Sequence, residues 1–135
     1  MRCDLVSVHQ VDQFWPSLSQ GFQRAVMKTG GDITVGELWQ GARSGQTFLL
    51  VAHDETDIRG ASIWVPQVWA TGQKLRCLAL YGRGMKDWIE DMHQLAIRVM
   101  RDCGATALVS EGRVGWPKIF PQAETLRILY EETPS

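Results

Sequence analysis

The sequence predicts one domain of the α+β class, with a mixed sheet covered by helices on both faces. Three observations support this prediction: strand-like segments that return antiparallel over 47–81, a strand–helix–strand unit over 74–110, and two amphipathic helical segments near the N-terminus. The 135 residues contain no internal repeat, low-complexity tract or linker, so a single domain over 1–135 is expected.

The composition argues against several classes of protein. Hydrophobic residues make up 44% and charged residues 21% of the chain, as in ordinary globular domains and unlike disordered chains. A net charge of −1 gives no electrostatic reason to expect a nucleic-acid or membrane partner. No apolar run approaches the roughly 20 residues of a membrane span, and the first residues are unlike a secretory signal. A cytoplasmic protein is therefore expected.

The cysteines indicate reduced thiols and no metal site. Cys3, Cys77 and Cys103 are odd in number and widely spaced, unlike the paired cysteines of secreted disulfide scaffolds. A structural zinc site needs four close ligands, and the sequence has neither a CxxC pair nor an HExxH motif. No bound metal is expected.

The chain opens with a short strand over 5–8, and a helix follows over 11–28. Apolar residues recur through this second segment at helical spacing. Asp12 is expected to cap the helix, and Pro16 is placed in its first turn, where proline is tolerated. Gly30-Gly31 should end the segment.

The second helix has the clearest start signal in the chain. The segment Thr34-Val35-Gly36-Glu37 is a capping box, in which the threonine and glutamate side chains satisfy free amides of the first turn. Ile33 and Leu38 occupy the two positions of a hydrophobic staple around it. The helix should run to about Arg43 and stop at Gly45.

Three strands are predicted next, as a hairpin with a third antiparallel strand. The polar turn 54–57 separates an apolar strand over 47–53 from a returning strand over 58–65. Pro66 is expected to stop regular pairing. The third strand, 74–81, is apolar throughout its second half, which is typical of a strand covered on both faces.

A βαβ unit closes the well-patterned part of the chain. A glycine loop at 82–84 leads into an amphipathic helix, Gly104 is a natural residue to follow its C-terminus, and 105–110 is an apolar strand. The strands 74–81 and 105–110 should therefore be parallel, with a right-handed crossover. Beyond them, 112–121 leaves room for one helical turn, and 126–130 is predicted to be a closing strand.

This order of elements resembles the GNAT acyltransferase superfamily, whose fold is a mixed sheet split between two central strands. It looks closest to the compact GNAT-like proteins of tailed bacteriophages, a likeness carried mainly by the segment 111–118. The resemblance covers about 5–130 and rests on element order more than on motifs. It implies an N-acyltransferase that uses acetyl-CoA, with a small-molecule or protein amine as acceptor.

The resemblance also implies where acetyl-CoA would bind. In the family, acyl-CoA sits between the splayed parallel strands, with its pyrophosphate on the loop that opens the long helix, where free amides hold an anion. The corresponding residues here are Leu80, Tyr81, Gly82, Arg83, Gly84, Met85 and Lys86. Within the family signature Gln/Arg-x-x-Gly-x-Gly/Ala, Gly84 matches the first glycine, whereas Tyr81 and Lys86 depart from the pattern.

The charges around this loop leave two interpretations open. Arg83 and Lys86 are able to neutralise phosphates directly. Three carboxylates in the first turn of the helix, Asp87, Glu90 and Asp91, would oppose an anion at the same place. The alternative is a glycine turn followed by a helix that Asp87 caps, with no ligand.

The catalytic residues are less clearly indicated. Amine acylation needs a base and often an acid. The family often takes the base from the strand before the CoA loop and a tyrosine acid from the following short helix, but 75–81 contains no Asp or Glu and 115–121 no Tyr. The candidate substitutes are Tyr81, Ser110, Glu111 and Tyr130. Glu111 is the best-placed base, and its alternative is a solvated carboxylate at the end of a strand.

Two functional hypotheses follow. The first is an acetyl-CoA-dependent N-acetyltransferase. The second is a catalytically inactive GNAT-fold phage or prophage protein that acts by binding a partner in the host cytoplasm, which the degraded loop and the six tryptophans favour. An exposed tryptophan surface would also favour a homodimer.

Overall fold

The computed structural model describes residues 2–111, 122–128 and 130–134. In this part of the chain, five strands form one sheet in the order β1-β2-β3-β4-β5. The strands are β1 (Arg2–Val6), β2 (Phe48–His53), β3 (Ile58–Trp69), β4 (Gly72–Gly82) and β5 (Ala107–Ser110). The helices are α1 (Val11–Lys28), α2 (Val35–Ser44) and α3 (Ile89–Asp102), with single 3₁₀ turns at Val8–Gln10 and Met85–Asp87. The predicted α+β class is confirmed.

The strand pairing is mixed, as predicted. The first four strands pair antiparallel in chain order. β4 and β5 pair parallel, from Lys74 opposite Ala107 to Cys77 opposite Ser110. The βαβ unit inferred from the pattern of the sequence is therefore present, with α3 as its connection.

Helices cover both faces of the sheet. Along β2, Leu49 and Val51 pack in one buried cluster with α1 and α2, while Leu50 and Ala52 pack in a second cluster with α3. Because successive strand residues point to opposite faces, the two clusters lie on opposite sides of the sheet. A strand buried on both faces reads as a continuous apolar run, which explains the pattern at 47–53.

The start of the chain differs from the prediction in three details. β1 lies at Arg2–Val6, earlier than the predicted 5–8. α1 has the predicted bounds, but Gln10 is its N-cap residue, and Asp12 instead accepts a hydrogen bond from Trp39 Nε1 at 2.8 Å. Asp12 therefore ties α1 to α2 and does not cap a helix end. Pro16 lies inside α1, beyond its first turn.

The start and end of α2 match the prediction. Thr34 is its N-cap residue, and its Oγ1 accepts a hydrogen bond from the Glu37 amide at 3.1 Å. The Glu37 carboxylate accepts a hydrogen bond from the threonine hydroxyl at 3.2 Å, where a capping box would use the threonine amide. Gly45 follows the helix in the left-handed conformation, with φ +83°.

Pro66 does not end β3, contrary to the prediction. β3 continues to pair with β4 as far as Trp69 opposite Gly72. Pairing with β2 has already ended at Phe48 opposite Trp64, so Pro66 lies where β3 has only β4 beside it among the described residues. Proline is tolerated at such an edge because no ladder bond is required on that side.

A β-bulge in β4 changes the direction of its side chains. Ile63 pairs with Ala79 and Trp64 pairs with Cys77, so Leu78 is the extra residue. Cys77 therefore shares a face with Leu80, and both pack in the cluster with α3. The bulge lies directly after Cys77, where the β4–β5 pairing ends.

α3 does not begin at the predicted cap. Asp87 ends the 3₁₀ turn that follows Gly84, and α3 begins at Ile89 with Trp88 as its N-cap residue. Trp88 is almost fully buried, with 1% of its surface exposed. Burial of this ring holds the residue at φ −139°, outside helical geometry, which accounts for the interruption.

The end of the chain is only partly described. Residues 126–128 and 130 are not in a strand, so the predicted closing strand is wrong for them. The alternating apolar residues Leu126, Ile128 and Tyr130 suggested a strand, but their side chains are exposed and the sheet does not include them. The helical turn predicted in 112–121 and most of the segment 111–118 lie outside the described residues.

Two further features concern the described ranges. None of their helices combines the length and the hydropathy needed to cross a membrane. Within the same ranges, no three His, Cys, Asp or Glu side chains group closely enough to hold a metal ion.

Candidate functional site

An open cleft of about 690 Å³ lies beside the second half of β4. The parallel pairing of β4 with β5 ends at Cys77 opposite Ser110, while β4 continues to Gly82. β4 lines the cleft from Cys77 to Gly82, and α1 lines it from the side with Gly21 and Lys28. The parallel pairing therefore stops beside the cleft, at the place where the resemblance implies that the two strands part.

A loop with free amides closes one end of the cleft. Gly84 has φ +61°, a conformation that favours glycine. The Asp87 amide donates to the Gly84 carbonyl at 2.9 Å, and the Trp88 amide donates to the Met85 carbonyl at 3.1 Å. The amides of Gly84, Met85 and Lys86 precede these bonds and so have no acceptor within the turn. Such a group of amides is suited to an anion.

The Trp88 side chain holds this loop in place. Its Nε1 donates a hydrogen bond to the Arg83 carbonyl at 2.9 Å. A Cβ at Gly60 would lie 2.5 Å from the ring, and a Cβ at Gly82 would lie 2.3 Å from it. Only glycine fits at both positions, because the indole occupies the space that a side chain would need.

The turn between β2 and β3 holds the loop from a second side. The Arg83 amide donates to the Arg59 carbonyl at 2.9 Å, and the Arg83 guanidinium forms an ion pair with Asp57. Arg59 in turn pairs with Asp54 at 2.5 Å. Hydrogen bonds from the Thr56 amide and then the Arg59 side chain hold the pKa of Asp54 well below its usual range. The turn is therefore internally braced, and Arg83 already has an anionic partner.

Tyr81 forms part of the cleft wall and is half-buried. Its ring meets the Phe22 ring edge-on at 5.0 Å and lies so close to Gly21 that a Cβ there would be 2.2 Å away. Burial raises the pKa of Tyr81 to about 12, with Arg24 acting in the opposite direction. The phenol is therefore neutral near pH 7 and is able to donate a proton but not to act as a base.

Cys77 lies in the cleft wall but is not activated. Its Sγ donates to the Ala79 carbonyl at 3.5 Å. Burial raises the pKa of the thiol to about 12. Because the thiolate is the nucleophilic form, this residue does not suit an acyl-enzyme step.

Glu111 lies at the end of β5 beside Ser110, and both residues line the cleft. Arg76 Nη2 lies 2.5 Å from Glu111 Oε1, and Arg127 Nη2 lies 3.3 Å from the same oxygen. Both ion pairs use Oε1. Among the described residues, Oε2 is thus the oxygen left for a ligand or a proton.

Most of the candidate site residues predicted from the sequence line the cleft. Those lining it are 80–83, Met85, Ser110 and Glu111. The described lining of the cleft does not include the candidates Gly84, Lys86 and Tyr130. Gly84 shapes the loop, and the Tyr130 side chain is 84% exposed. The catalytic and binding roles assigned to all of these residues stay predictions.

The apolar pattern of α1 predicts only a helix with a buried face and gives no sign that it reaches the site. In the structure, Arg24 and Lys28 of this helix line the cleft. Gly21 carried a usable signal, because glycine in a helix interior is unfavourable and often marks close approach of another group. Here that group is the Tyr81 ring.

Comparison by sequence finds no relative. No protein-family model matches the chain, and no curated protein matches it.

Comparison by structure gives clear neighbours. An aminoglycoside acetyltransferase from an uncultured soil metagenomic sample, in complex with sisomicin, has a TM-score of 0.70 at 11% identity and covers 99% of this chain and 96% of its own. A predicted acetyltransferase with acetyl-CoA from Clostridium acetobutylicum has a TM-score of 0.68 at 11% identity, with coverages of 97% and 95%. A ribosomal-protein-alanine N-acetyltransferase from Brucella melitensis has a TM-score of 0.66 at 17% identity, with coverages of 98% and 98%.

These similarities establish the fold. The chain has the fold of the GNAT acetyltransferases, as the order of its elements suggested. The low sequence identities leave the activity to be argued from the cleft.

Proposed function

We propose that this GNAT-fold chain is an N-acetyltransferase that transfers the acetyl group of acetyl-CoA to an amine. One observation carries the proposal: the pairing of β4 with β5 ends at Cys77 and Ser110, beside a cleft that Arg83 and Met85 of the loop of free amides also line. The acetyl-CoA named with one of the structural neighbours supports the same assignment.

The residues of the cleft fit this substrate. The amides of Gly84, Met85 and Lys86 would receive the pyrophosphate. No described residue of β5 pairs with β4 beyond Cys77, and this edge of β4 would face the amide groups of the pantetheine arm. The thioester would then lie between Leu80 and Ser110. A volume of about 690 Å³ is within the usual range for small-molecule sites.

The chemistry requires two proton movements. The amine nitrogen forms a bond to the acetyl carbon, the carbon–sulfur bond breaks, the amine gives up a proton and the departing thiolate gains one. Glu111, through Oε2 and directly or through water, is the proposed base. Tyr81, whose phenol is neutral, and Ser110 are the proton donors that the cleft offers. Transfer is direct, because Cys77 stays a thiol.

Titration of the chain with acetyl-CoA in a calorimeter tests the proposal. A dissociation constant of micromolar order is expected, weakening about tenfold or more when Arg83→Ala and Lys86→Ala remove two cations from the loop. Arg98→Gln with Arg101→Gln, on the exposed side of α3, is the control for a change in net charge. Absence of binding at millimolar acetyl-CoA would contradict the proposal and favour the alternative, a GNAT-fold binding protein without acyl transfer.

Asp57→Asn is expected to tighten acetyl-CoA binding a few-fold. The change removes the carboxylate that pairs with Arg83, while the amide oxygen can still accept the hydrogen bond from the Ile58 amide. The pair is largely exposed, so the gain stays small and should shrink as salt is raised. Calorimetry at low and high ionic strength measures it. Weaker binding by the variant would mean that the pair holds the loop in its binding shape.

Three finer expectations accompany the proposal. We infer a cytoplasmic location from the composition, an encoding phage or prophage from the resemblance, and a homodimer from the tryptophan content. These remain predictions.

A further inference from the structure

Some of the cations that line the cleft are paired with carboxylates and others are not. The cations that line it are Arg24, Lys28, Arg59 and Arg83. Arg59 is paired with Asp54, and Arg83 with Asp57. Arg24 and Lys28 are exposed on α1 and form no ion pair with any described residue. Two positive charges are thus left uncompensated on this wall.

The position of Lys28 separates it from the loop of free amides, whereas Arg24, within one helical turn of Gly21, lies nearer to Tyr81. α1 approaches the loop end of β4 at Gly21, which contacts the Tyr81 ring. Thr29, just past the other end of α1, lines a smaller cavity with Cys77 and Leu78, in the middle of β4. The helix therefore runs away from the loop, and Lys28 lies towards the part of the cleft where the pairing of β4 with β5 ends.

Acidic groups lie at the opposite end from the loop. Glu111 is the one carboxylate among the described residues that line the large cleft. A smaller cavity of about 150 Å³, which Glu111 also lines, adds Asp32, Glu37 and Arg76, the cation that is already paired with Glu111. An approaching molecule thus meets cations on the α1 wall and carboxylates beyond them.

We propose that the acceptor is an amine that also carries an anionic group, a carboxylate or a phosphate, which Arg24 and Lys28 bind. This inference rests on the proposed function. The amino group of the acceptor points to Glu111, and the anionic group lies against α1. The same two cations repel polyamines and other polycationic acceptors.

The test compares small primary amines that differ in their second group. With saturating acetyl-CoA, thiol release gives kcat/KM for β-alanine, phosphoethanolamine, ethanolamine and putrescine. The wild-type chain is expected to prefer at least one anionic amine over ethanolamine by about tenfold or more, with putrescine the poorest. β-Alanine and phosphoethanolamine together distinguish a carboxylate from a phosphate.

Charge variants show whether α1 causes this preference. Arg24→Gln with Lys28→Gln is expected to bring the ratio of anionic to neutral kcat/KM close to one. The ratio is taken between two amines on the same protein. The intrinsic reactivity of each amine therefore cancels when the ratios of the wild type and the variant are compared. Arg98→Gln with Arg101→Gln removes the same charge from α3 and should leave the ratio unchanged.

Other outcomes overturn the inference in distinguishable ways. A wild-type chain that transfers acetyl to putrescine or ethanolamine as well as to the anionic amines contradicts the acceptor class but leaves the transferase. A double variant that weakens acetyl-CoA binding by calorimetry, with an unchanged acceptor ratio, assigns Arg24 and Lys28 to the CoA phosphates instead. A wild-type chain that binds no acetyl-CoA overturns the proposed function and this inference with it.

Discussion

Trp88→Phe is expected to weaken acetyl-CoA binding about tenfold and to lower the free energy of unfolding by about 2 kcal/mol. The smaller ring leaves part of a fully buried site empty, between the two glycines that the indole covers. It also lacks the Nε1–H that donates to the Arg83 carbonyl at 2.9 Å. Without that bond the loop keeps only its contacts with Arg59 and Asp57, and part of the alignment of the free amides with an anion has to be restored on binding.

Trp64→Phe is the matched control. Trp64 is buried in the same cluster on the α3 side of the sheet, and its Nε1 donates to Ser62 Oγ at 2.8 Å. This variant should lose similar stability while its affinity for acetyl-CoA stays within about twofold of the wild type. Urea unfolding and calorimetry supply the two readouts. Equal losses of affinity in both variants would show that Trp88 acts only through general stability.

Gly21→Ala is expected to lower the free energy of unfolding by about 2 kcal/mol, whereas Gly36→Ala should raise it by about 0.5 kcal/mol. Both glycines lie in helices, where alanine is normally favourable. A Cβ at Gly21 would lie 2.2 Å from the Tyr81 ring, which is itself held against Phe22. A Cβ at Gly36 would meet only Thr34 Oγ1, at 3.8 Å.

The opposite signs make this pair informative. Urea unfolding of both variants measures the difference directly, because helix propensity contributes in the same direction to each. Displacement of the Tyr81 ring into the cleft should also reduce acetyl-CoA binding in Gly21→Ala alone. If Gly21→Ala proved as stable as Gly36→Ala, the close contact between α1 and β4 would be wrong.

Local chemistry explains the parts of the fold that could be read from the sequence. The bounds of α2 follow from a hydrogen bond between Thr34 and Glu37 and from a glycine at 45, all within one short segment. The parallel pairing of β4 and β5 follows from a strand–helix–strand order that leaves few other topologies. These features depend on neighbours along the chain, which a sequence pattern records.

Two of the wrong predictions share a different cause. Asp87 has the side chain of a good cap, but burial of Trp88 takes the backbone out of the helix at that point. Asp12 is equally suitable as a cap, but Trp39 and Arg43 engage its carboxylate from α2. In each case a contact with another element outweighs a local preference worth about 1 kcal/mol.

The same distinction between local pattern and tertiary contact applies to the candidate site. The resemblance in element order pointed to the loop 80–86 and the strand end at 110–111, and the path of the chain brings most of these residues to one cleft. Only the tertiary structure decided that Arg83 is paired with Asp57, that Glu111 is paired through one oxygen, and that α1 brings uncompensated cations to the cleft. These contacts join residues far apart in sequence, and distant side chains leave no periodic pattern by which their meeting can be foreseen.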